Sequence, residues 1–233
     1  FSYNTKMMKN THLDTIIIGA GISGICMANH MQEKCPTKKF IILDERSDYG
    51  GTWDLYNYPG IRSDSAMTSF GYKFKPWLST KQFAAGKDIK NYLGETIEEI
   101  GIKDKMIFDI RINEAKWSSK TMRWTLFAFD KNANKEVEFS CNFLLACCGY
   151  YDYKSANIPD FKNLEEYHGR FFHPQFWPDD LEIKNKEIVI IGSGATAATL
   201  LPTLAKSEVQ KVTLLQRSPA YYLIYPKEND TIV

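Results

Sequence analysis

Two short glycine-rich turns constrain this chain more than any other feature: Gly19-Ala20-Gly21-Ile22-Ser23-Gly24 and Gly192-Ser193-Gly194-Ala195-Thr196-Ala197. Each follows an apolar, β-branched run, Thr15 to Ile18 and Ile188 to Ile191, and opens a segment of small residues. That context places each turn at a strand-to-helix junction. There the first glycine permits a tight turn, the second lets backbone approach a diphosphate, and the third lets helix and strand pack closely. The start of the helix adds unpaired N–H groups and the positive end of its dipole. Two such turns in one chain predict two bound dinucleotides.

The 233 residues, 44% hydrophobic and 24% charged, are enough to bury a core in one large domain or two small ones. A formal net charge of +1 without long blocks of like charge gives no electrostatic case for nucleic acid or an anionic membrane as partner. The longest apolar stretch, Thr15 to Ala28, is interrupted by Gly19, Gly21 and Gly24 and is too short to span a bilayer. No secretory signal precedes it, and Phe1 to Asn10 read as an artificial addition or an upstream extension. Five cysteines, Cys26, Cys35, Cys141, Cys147 and Cys148, are odd in number and lack CxxC or metal-ligand spacing, so no metal site is expected. They read as reduced thiols of a cytoplasmic protein, with Cys147 and Cys148 as small buried residues rather than a redox pair.

The coarse organisation is α/β. A strand Asp14 to Ile18, a helix to about Gln32 and a strand Phe40 to Leu43 make a first βαβ unit. Ile89, Leu93, Ile97 and Ile100 recur at helical spacing in Lys87 to Ile100. Met106 to Ile112, Met122 to Phe129 and Val137 to Phe139, with turn chemistry at Asp130 to Asn134, predict an antiparallel β-meander. Residues 150–186, rich in aromatics and proline, read as a connector. A second βαβ unit follows: strand Glu187 to Ile191, helix to about Ala205 and strand Lys211 to Leu215, with a polar tail past Ile224. The expected fold is therefore two Rossmann-like dinucleotide-binding units, the first carrying the meander and the second incomplete. The expected boundaries are 1–149, 150–186 and 187–233, in a chain that reads as truncated.

Asp44 lies twenty residues past Gly24 at the end of the second strand, where a carboxylate accepts ribose hydroxyls and favours a free 2′-OH. Glu45 is the alternative, although one residue along a strand faces the other way. After the corresponding strand of the second unit stand Gln216-Arg217-Ser218, with no acid to repel a 2′-phosphate and an arginine to pair with it, which favours NADP. A solvated surface arginine is the plain alternative. The segment Gly50 to Asp64, dense in glycine and aromatics, fits either backbone approach to a flat ring system or an aromatic-packed loop. Phe70, Tyr72, Phe74 and Trp77 are assigned first to loop packing. His173 titrates near neutrality as a general base would, but Phe171, Phe172 and Phe176 around it favour a structural histidine.

Taken together, these motifs resemble the Baeyer-Villiger monooxygenases, flavoproteins related to the flavin-containing monooxygenases. That family's fingerprint, Phe-x-Gly-x-x-x-His-x-x-x-Trp followed by Pro or Asp, is filled by Gly169, His173, Trp177 and Pro178, with Tyr167 in place of the first Phe. A second family motif is met by Gly50, Gly51, Trp53, Tyr58, Pro59, Gly60 and Asp64. The wording Gly-Thr-Trp-Asp-Leu, Phe-Lys-Pro-Trp and His-Pro-Gln-Phe-Trp-Pro is similar to the ethionamide-activating branch, and the likeness runs from about Leu13 to Pro219.

The resemblance implies an enzyme using FAD, NADPH and O2 to insert one oxygen atom into a ketone, giving an ester or lactone, or to oxidise a thioether, by way of a peroxyflavin. It implies that Gly19, Gly21, Ser23 and Gly24 contact the FAD diphosphate and Asp44 its ribose. Thr52, Trp53, Asp54 and Leu55 would lie along the flavin, and Ile112 would reach adenine through its backbone. Arg62, Ser63 and Asp64 would lie near nicotinamide and flavin. Ser193, Gly194, Ala195, Thr196, Ala197, Ala198 and Thr199 would surround the NADP diphosphate, and Arg217 and Ser218 the 2′-phosphate. The resemblance places the family's catalytic arginine downstream of Val233, so no catalytic arginine is named, and Asp64 stands as the candidate beside flavin and nicotinamide. The alternatives are a flavin N- or S-oxygenase, a truncated non-catalytic nucleotide-binding remnant and, lacking a spaced cysteine pair, a flavin disulfide reductase. Neither the physiological substrate nor the oligomeric state is legible.

Overall fold

The computed structural model describes residues 12–222. The expectations for Phe1 to Asn10 and for the tail past Ile224 lie outside the described residues.

β1 (His12–Ile18) and β2 (Phe40–Leu43) are parallel neighbours, with Thr15 opposite Phe40 and Ile18 opposite Leu43. All four residues of β2 are buried, the pattern of a strand covered on both faces. α1 (Ile22–Lys34) joins them and buries Gly24, Ile25 and Ala28. The helix comes this close because Gly24 has no side chain: a Cβ there would fall onto the carbonyl oxygen of Gly19. Gly19 itself has φ +108°, and a Cβ on it would strike the Cys147 carbonyl. The first turn is thus backbone packed on backbone from two sides.

The meander is present, with two differences from its sequence pattern. The run Met106 to Ile112 is two strands, β3 (Met106–Ile107), parallel to β2, and β4 (Ile110–Ser118), antiparallel to β5 (Arg123–Asp130). Asp109 breaks it, with φ +61° and its N–H donating to the Arg46 carbonyl. Conversely, Val137 to Phe139 is only part of a twelve-residue strand, β6 (Lys135–Ala146). Its first half pairs antiparallel with β5 and its second half parallel with β1. The sheet order is β3-β2-β1-β6-β5-β4. Leu13, Ile16, Ile41 and Leu43 share one core with Ile110, Leu126, Ala128 and Phe139, so the meander buries its inner face against the parallel strands. On β4 and β5 the cross-strand pair Trp117–Trp124 lies 5.5 Å apart, and Arg111 and Lys116 cover the rings of Phe129 and Phe127.

Two short helices follow the first βαβ unit, α2 (Thr52–Leu55) and α3 (Met67–Phe70). The amphipathic helix is α4 (Gly86–Glu99), with Ile89, Leu93 and Ile97 buried as expected. Ile100 lies just past its end, and Tyr92 and Thr96 complete the buried face instead. β7 (Glu187–Ile191) and β8 (Lys211–Leu215) form a separate two-stranded parallel sheet, with α5 (Ala195–Ala205) between them in sequence. Ile188, Ile190, Val212 and Leu214 face the cluster that contains α5, whereas Val189, Ile191 and Leu215 on the opposite face are exposed.

Two compact units result. One holds the residues up to Asp54 together with Lys90–Tyr150; the other holds Leu55–Ile89 together with the residues from Tyr151 on. The linear boundaries at 149 and 186 do not show this grouping, in which residues 55–89 accompany the second sheet. Packing explains it: Tyr56, Tyr58 and Ile61 join the apolar cluster of Ala197, Leu200 and Leu204 on α5.

Among glycine-to-alanine substitutions, Gly24→Ala is expected to lower the unfolding free energy by more than about 2 kcal/mol, because a backbone oxygen must move. Gly149→Ala, at φ +72° with open space around it, is expected to cost about 1 kcal/mol. Urea unfolding of both variants checks this, and equal costs contradict the close contact at the first turn.

Candidate functional site

In the first unit the glycine turn, the end of β2 and the Gly50-Gly51 loop converge. Gly21 is the N-cap of α1, no side chain caps the helix, and its first turn carries no acid. Ser23 is exposed beside it. Such an end is suited to an anion. The Gly50 N–H donates to the Ala20 carbonyl at 3.0 Å, and Gly51 lies where a Cβ on Gly21 would meet its Cα at 3.6 Å. The glycines of this loop therefore bring backbone against the first turn.

Asp44 is buried at the end of β2. Its Oδ2 accepts from the Ala20 N–H at 2.6 Å and its Oδ1 from the Arg46 N–H at 2.8 Å. Burial pushes its carboxyl above the usual range despite these two bonds. Each oxygen retains a further lone pair for a hydroxyl donor. Glu45 is half-buried and pairs with Lys131 at 3.4 Å. Ile112 sits on the edge strand β4 at a bulge, where the register with β5 shifts between Ile112 and Glu114 and backbone groups leave the ladder.

Thr52, Trp53 and Leu55 are half-buried on α2. Asp54 behaves differently. Its carboxylate takes both the Nε (2.8 Å) and the Nη2 of Arg46 on one oxygen, and Lys90 Nζ from α4 on the other. Lys90 also reaches Asp48 at 2.7 Å. Burial alone would raise the Asp54 carboxyl, but Lys90 and Arg46 outweigh it and hold it below the usual range. Arg46 thus holds Asp44 through its backbone and Asp54 through its side chain. Sequence reasoning missed Arg46, Asp48 and Lys90, since nothing local pairs residue 54 with a helix thirty-six positions on.

In the second unit Gly192 repeats the turn with φ +129°, and its N–H donates to the Leu215 carbonyl at 2.9 Å. Among the described residues, a Cβ placed on Gly192 or Gly194 would meet no atom within 4 Å, whereas one on Gly19 or Gly24 would strike backbone. Gly194 is the N-cap of α5, which again has no side-chain cap and no acid in its first turn. The residues assigned to this nucleotide divide. Gly194 and Ala195 are exposed, and Ser193, Thr196 and Ala198 half-buried. Ala197 and Thr199 are buried instead, and the Thr199 carbonyl accepts from the Thr203 hydroxyl. Arg217 and Ser218 are exposed just past β8.

The Tyr-Pro-Gly segment belongs to this unit. Tyr58 is buried, which pushes its hydroxyl up, and nearby Thr196 offsets this in part. Gly60, at φ +79°, approaches α5 so closely that a Cβ would strike Thr203. From there Arg62 and Asp64 emerge exposed, Arg62 lying 5.7 Å from the Phe83 ring centre. Ser63 is buried, its Oγ accepting from the Ala84 N–H at 3.1 Å. Tyr72 stacks on Phe74 at 4.7 Å and Trp77 Nε1 donates to the Lys81 carbonyl, which is loop packing. Of the fingerprint residues, Trp177 packs on the α5 cluster, and beside Gly169 Arg170 forks onto Asp180 at 3.0 and 3.3 Å. His173 accepts the Gln175 N–H at Nδ1 and is held below its ordinary pKa by burial, an arrangement that makes it structural.

The cysteines are free thiols. Burial raises Cys141 to about 11 and also pushes up Cys26 and Cys147. Cys147 is half-buried and Cys148 exposed, so the expectation that both are buried is not met. The Cys147 N–H instead donates to Ile18, and its carbonyl lies beside Gly19. Among the described residues no cluster of metal-ligating side chains occurs, and no helix is long and apolar enough to cross a membrane.

Asp54→Asn is expected to lower the unfolding free energy at pH 7 by roughly 1–3 kcal/mol, the range for a hydrogen bond to a charged group. Because the folded-state pKa is depressed, this contribution is present above the ordinary carboxylate value and fades as pH falls through the lowered one. The gap between variant and wild type should therefore narrow as urea unfolding is taken from pH 7 towards about pH 3. A gap that stays constant contradicts the ion pairing.

A family model described as an NAD(P)-binding Rossmann-like domain matches residues 17–79. A probable FAD-binding monooxygenase, AlmA of Acinetobacter sp, is 48% identical over 214 residues, which are 92% of this chain and 43% of that protein. The FAD-containing monooxygenase EthA of Mycolicibacterium smegmatis is 47% identical over 210 residues, 90% of this chain and 42% of that protein. Among solved structures, an oxidized steroid monooxygenase bound to NADP superposes with a TM-score of 0.76 at 25% identity, covering 91% of this chain and 40% of that one. The chain therefore spans less than half the length of the curated relatives it matches. Over about nine tenths of its own length the chain is similar in sequence to FAD-binding and FAD-containing monooxygenases and in fold to a steroid monooxygenase.

Proposed function

We propose that this chain supplies the FAD-binding and NADPH-binding regions of a Baeyer-Villiger-type flavin monooxygenase. Such an enzyme takes one oxygen atom from O2 and places it in a ketone, giving an ester or lactone, or on a thioether sulfur. The observation that carries this is the pair of glycine turns, each opening an uncapped helix with no acid in its first turn, one in each compact unit. The similar FAD-binding and FAD-containing monooxygenases support flavin at one of them. The NADP of the steroid monooxygenase structure supports nicotinamide at the other.

The residues fit those groups. The first α1 turn and the buried carboxylate of Asp44 would hold the diphosphate and ribose of FAD, and the Ile112 bulge would offer backbone groups to adenine. Ser193 to Thr196 would hold the NADPH diphosphate through backbone N–H groups, with Arg217 and Ser218 on its 2′-phosphate. The buried Ala197 and Thr199 would act from behind, packing α5 in place. Asp54 is committed to Arg46 and Lys90, so it would hold the α2 turn rather than offer its carboxylate to a ring. Exposed Arg62 and Asp64 remain open to a ligand, while Ser63 would position them by tying the segment to Ala84. When bound, the two cofactors supply hydride transfer and oxygen activation; the protein's own part is binding, orientation and exclusion of water.

Purified chain given FAD should retain it and turn yellow, and NADPH should bleach the flavin. Arg217→Ala should weaken NADPH about ten-fold and leave NADH unchanged, the signature of a lost phosphate contact. With the complete enzyme, a linear ketone or a thioether should yield ester or sulfoxide by mass spectrometry. Failure to retain flavin, equal preference for NADH, or absence of both products contradicts the proposal.

A further inference from the structure

His173 accepts the Gln175 N–H at Nδ1, 3.1 Å away, and so caps the one-turn helix of Pro174–Phe176. A ring nitrogen that accepts carries no proton, so in the neutral imidazole the proton sits on Nε2. Burial favours that neutral form. The cap fixes the backbone of Gln175, whose side chain is buried and used at both ends. Its Nε2 donates to the Asp152 carbonyl at 2.6 Å, and its Oε1 accepts from the Tyr56 hydroxyl at 3.4 Å. Tyr56 meets the rings of Tyr58 and Tyr151 edge-on, at 5.9 and 5.3 Å between centres. Tyr58 is buried against Ala197 and Leu200 of α5, and Thr196 in the helix's first turn is near enough to its hydroxyl to influence it. Every link in this series lies within the second unit.

We propose that His173, as the Nε2–H tautomer, is a positioning residue that sets the first turn of α5 through Gln175 and the Tyr56–Tyr58 pair. What that turn then does with a nucleotide rests on the function proposed above; the positioning itself does not. A general-base role is ruled out by the same geometry, because the ring's acceptor nitrogen is occupied by a backbone N–H and its other nitrogen is a donor.

The test is NMR on the isotope-labelled 233-residue chain. A scalar coupling across the hydrogen bond should connect the Gln175 amide nitrogen to an unprotonated His173 Nδ1. His173→Asn, whose side-chain oxygen can cap the same N–H, should keep the amide resonances of Tyr56, Asp152 and Thr196 near their wild-type positions. His173→Leu should displace all three and weaken NADPH about five-fold, the effect of losing one cap. Gln175→Met keeps the cap and cuts the links, so it should preserve a histidine with unprotonated Nδ1 yet move Tyr56 and Thr196; it serves if the Leu variant does not fold. A protonated Nδ1 without coupling, or Asn and Leu variants that behave alike, overturns the proposal. Wild-type chain that shows the coupling but binds no NADPH leaves the positioning intact and refutes only the assignment of the nucleotide.

Discussion

The contact between Gly24 and the carbonyl of Gly19 sets the geometry of the first unit. It brings the start of α1 onto the end of β1, and the Cys147 carbonyl closes on Gly19 from the neighbouring strand. With no side chain in that space, Ala20 is placed so that its N–H meets Asp44 and its carbonyl meets Gly50. A helix start, a buried carboxylate and a glycine loop therefore meet at the main-chain groups of Ala20. Main-chain placement is what gives a small anion-binding turn its rigidity.

In the second unit aromatic packing orders the helix: Tyr58, Tyr56 and Trp177 join Ala197, Leu200 and Leu204 of α5 in one cluster with residues of β7 and β8. Gly60 permits the Tyr-Pro-Gly segment to lie against Thr203, which is why residues 55–89 group with a sheet that begins a hundred positions later. The fingerprint serves packing too. Trp177 meets Phe172 edge-on at 5.3 Å, and the Arg170–Asp180 fork, being exposed, adds direction more than stability.

Elements whose signal is local were legible in the sequence. β1, β2, α1, β7, α5 and β8 follow from apolar runs flanking glycine turns, and α4 from its spacing of Ile89, Leu93 and Ile97. What the sequence hid depends on contacts distant along the chain. Asp109 divides one apolar run into two strands by adopting a left-handed backbone and bonding Arg46. β6 extends well past Val137 to Phe139 because its ends serve different neighbours. Asp54 looks like a ligand contact until Lys90 arrives from α4, and Ser63 looks available until Ala84 covers it. The phenylalanines around His173 favour a structural reading from sequence, but its bond to Gln175 was not legible there.

The central claim is that two separate nucleotides sit at the two helix starts. The most direct measurement is a pair of amide-resonance titrations of the same chain, one with FAD and one with NADP+. The account predicts that FAD moves the amides of Gly21 to Gly24, that NADP+ moves those of Ser193 to Thr196, and that each leaves the other set in place. Both ligands moving one set, or neither ligand moving either, would contradict it.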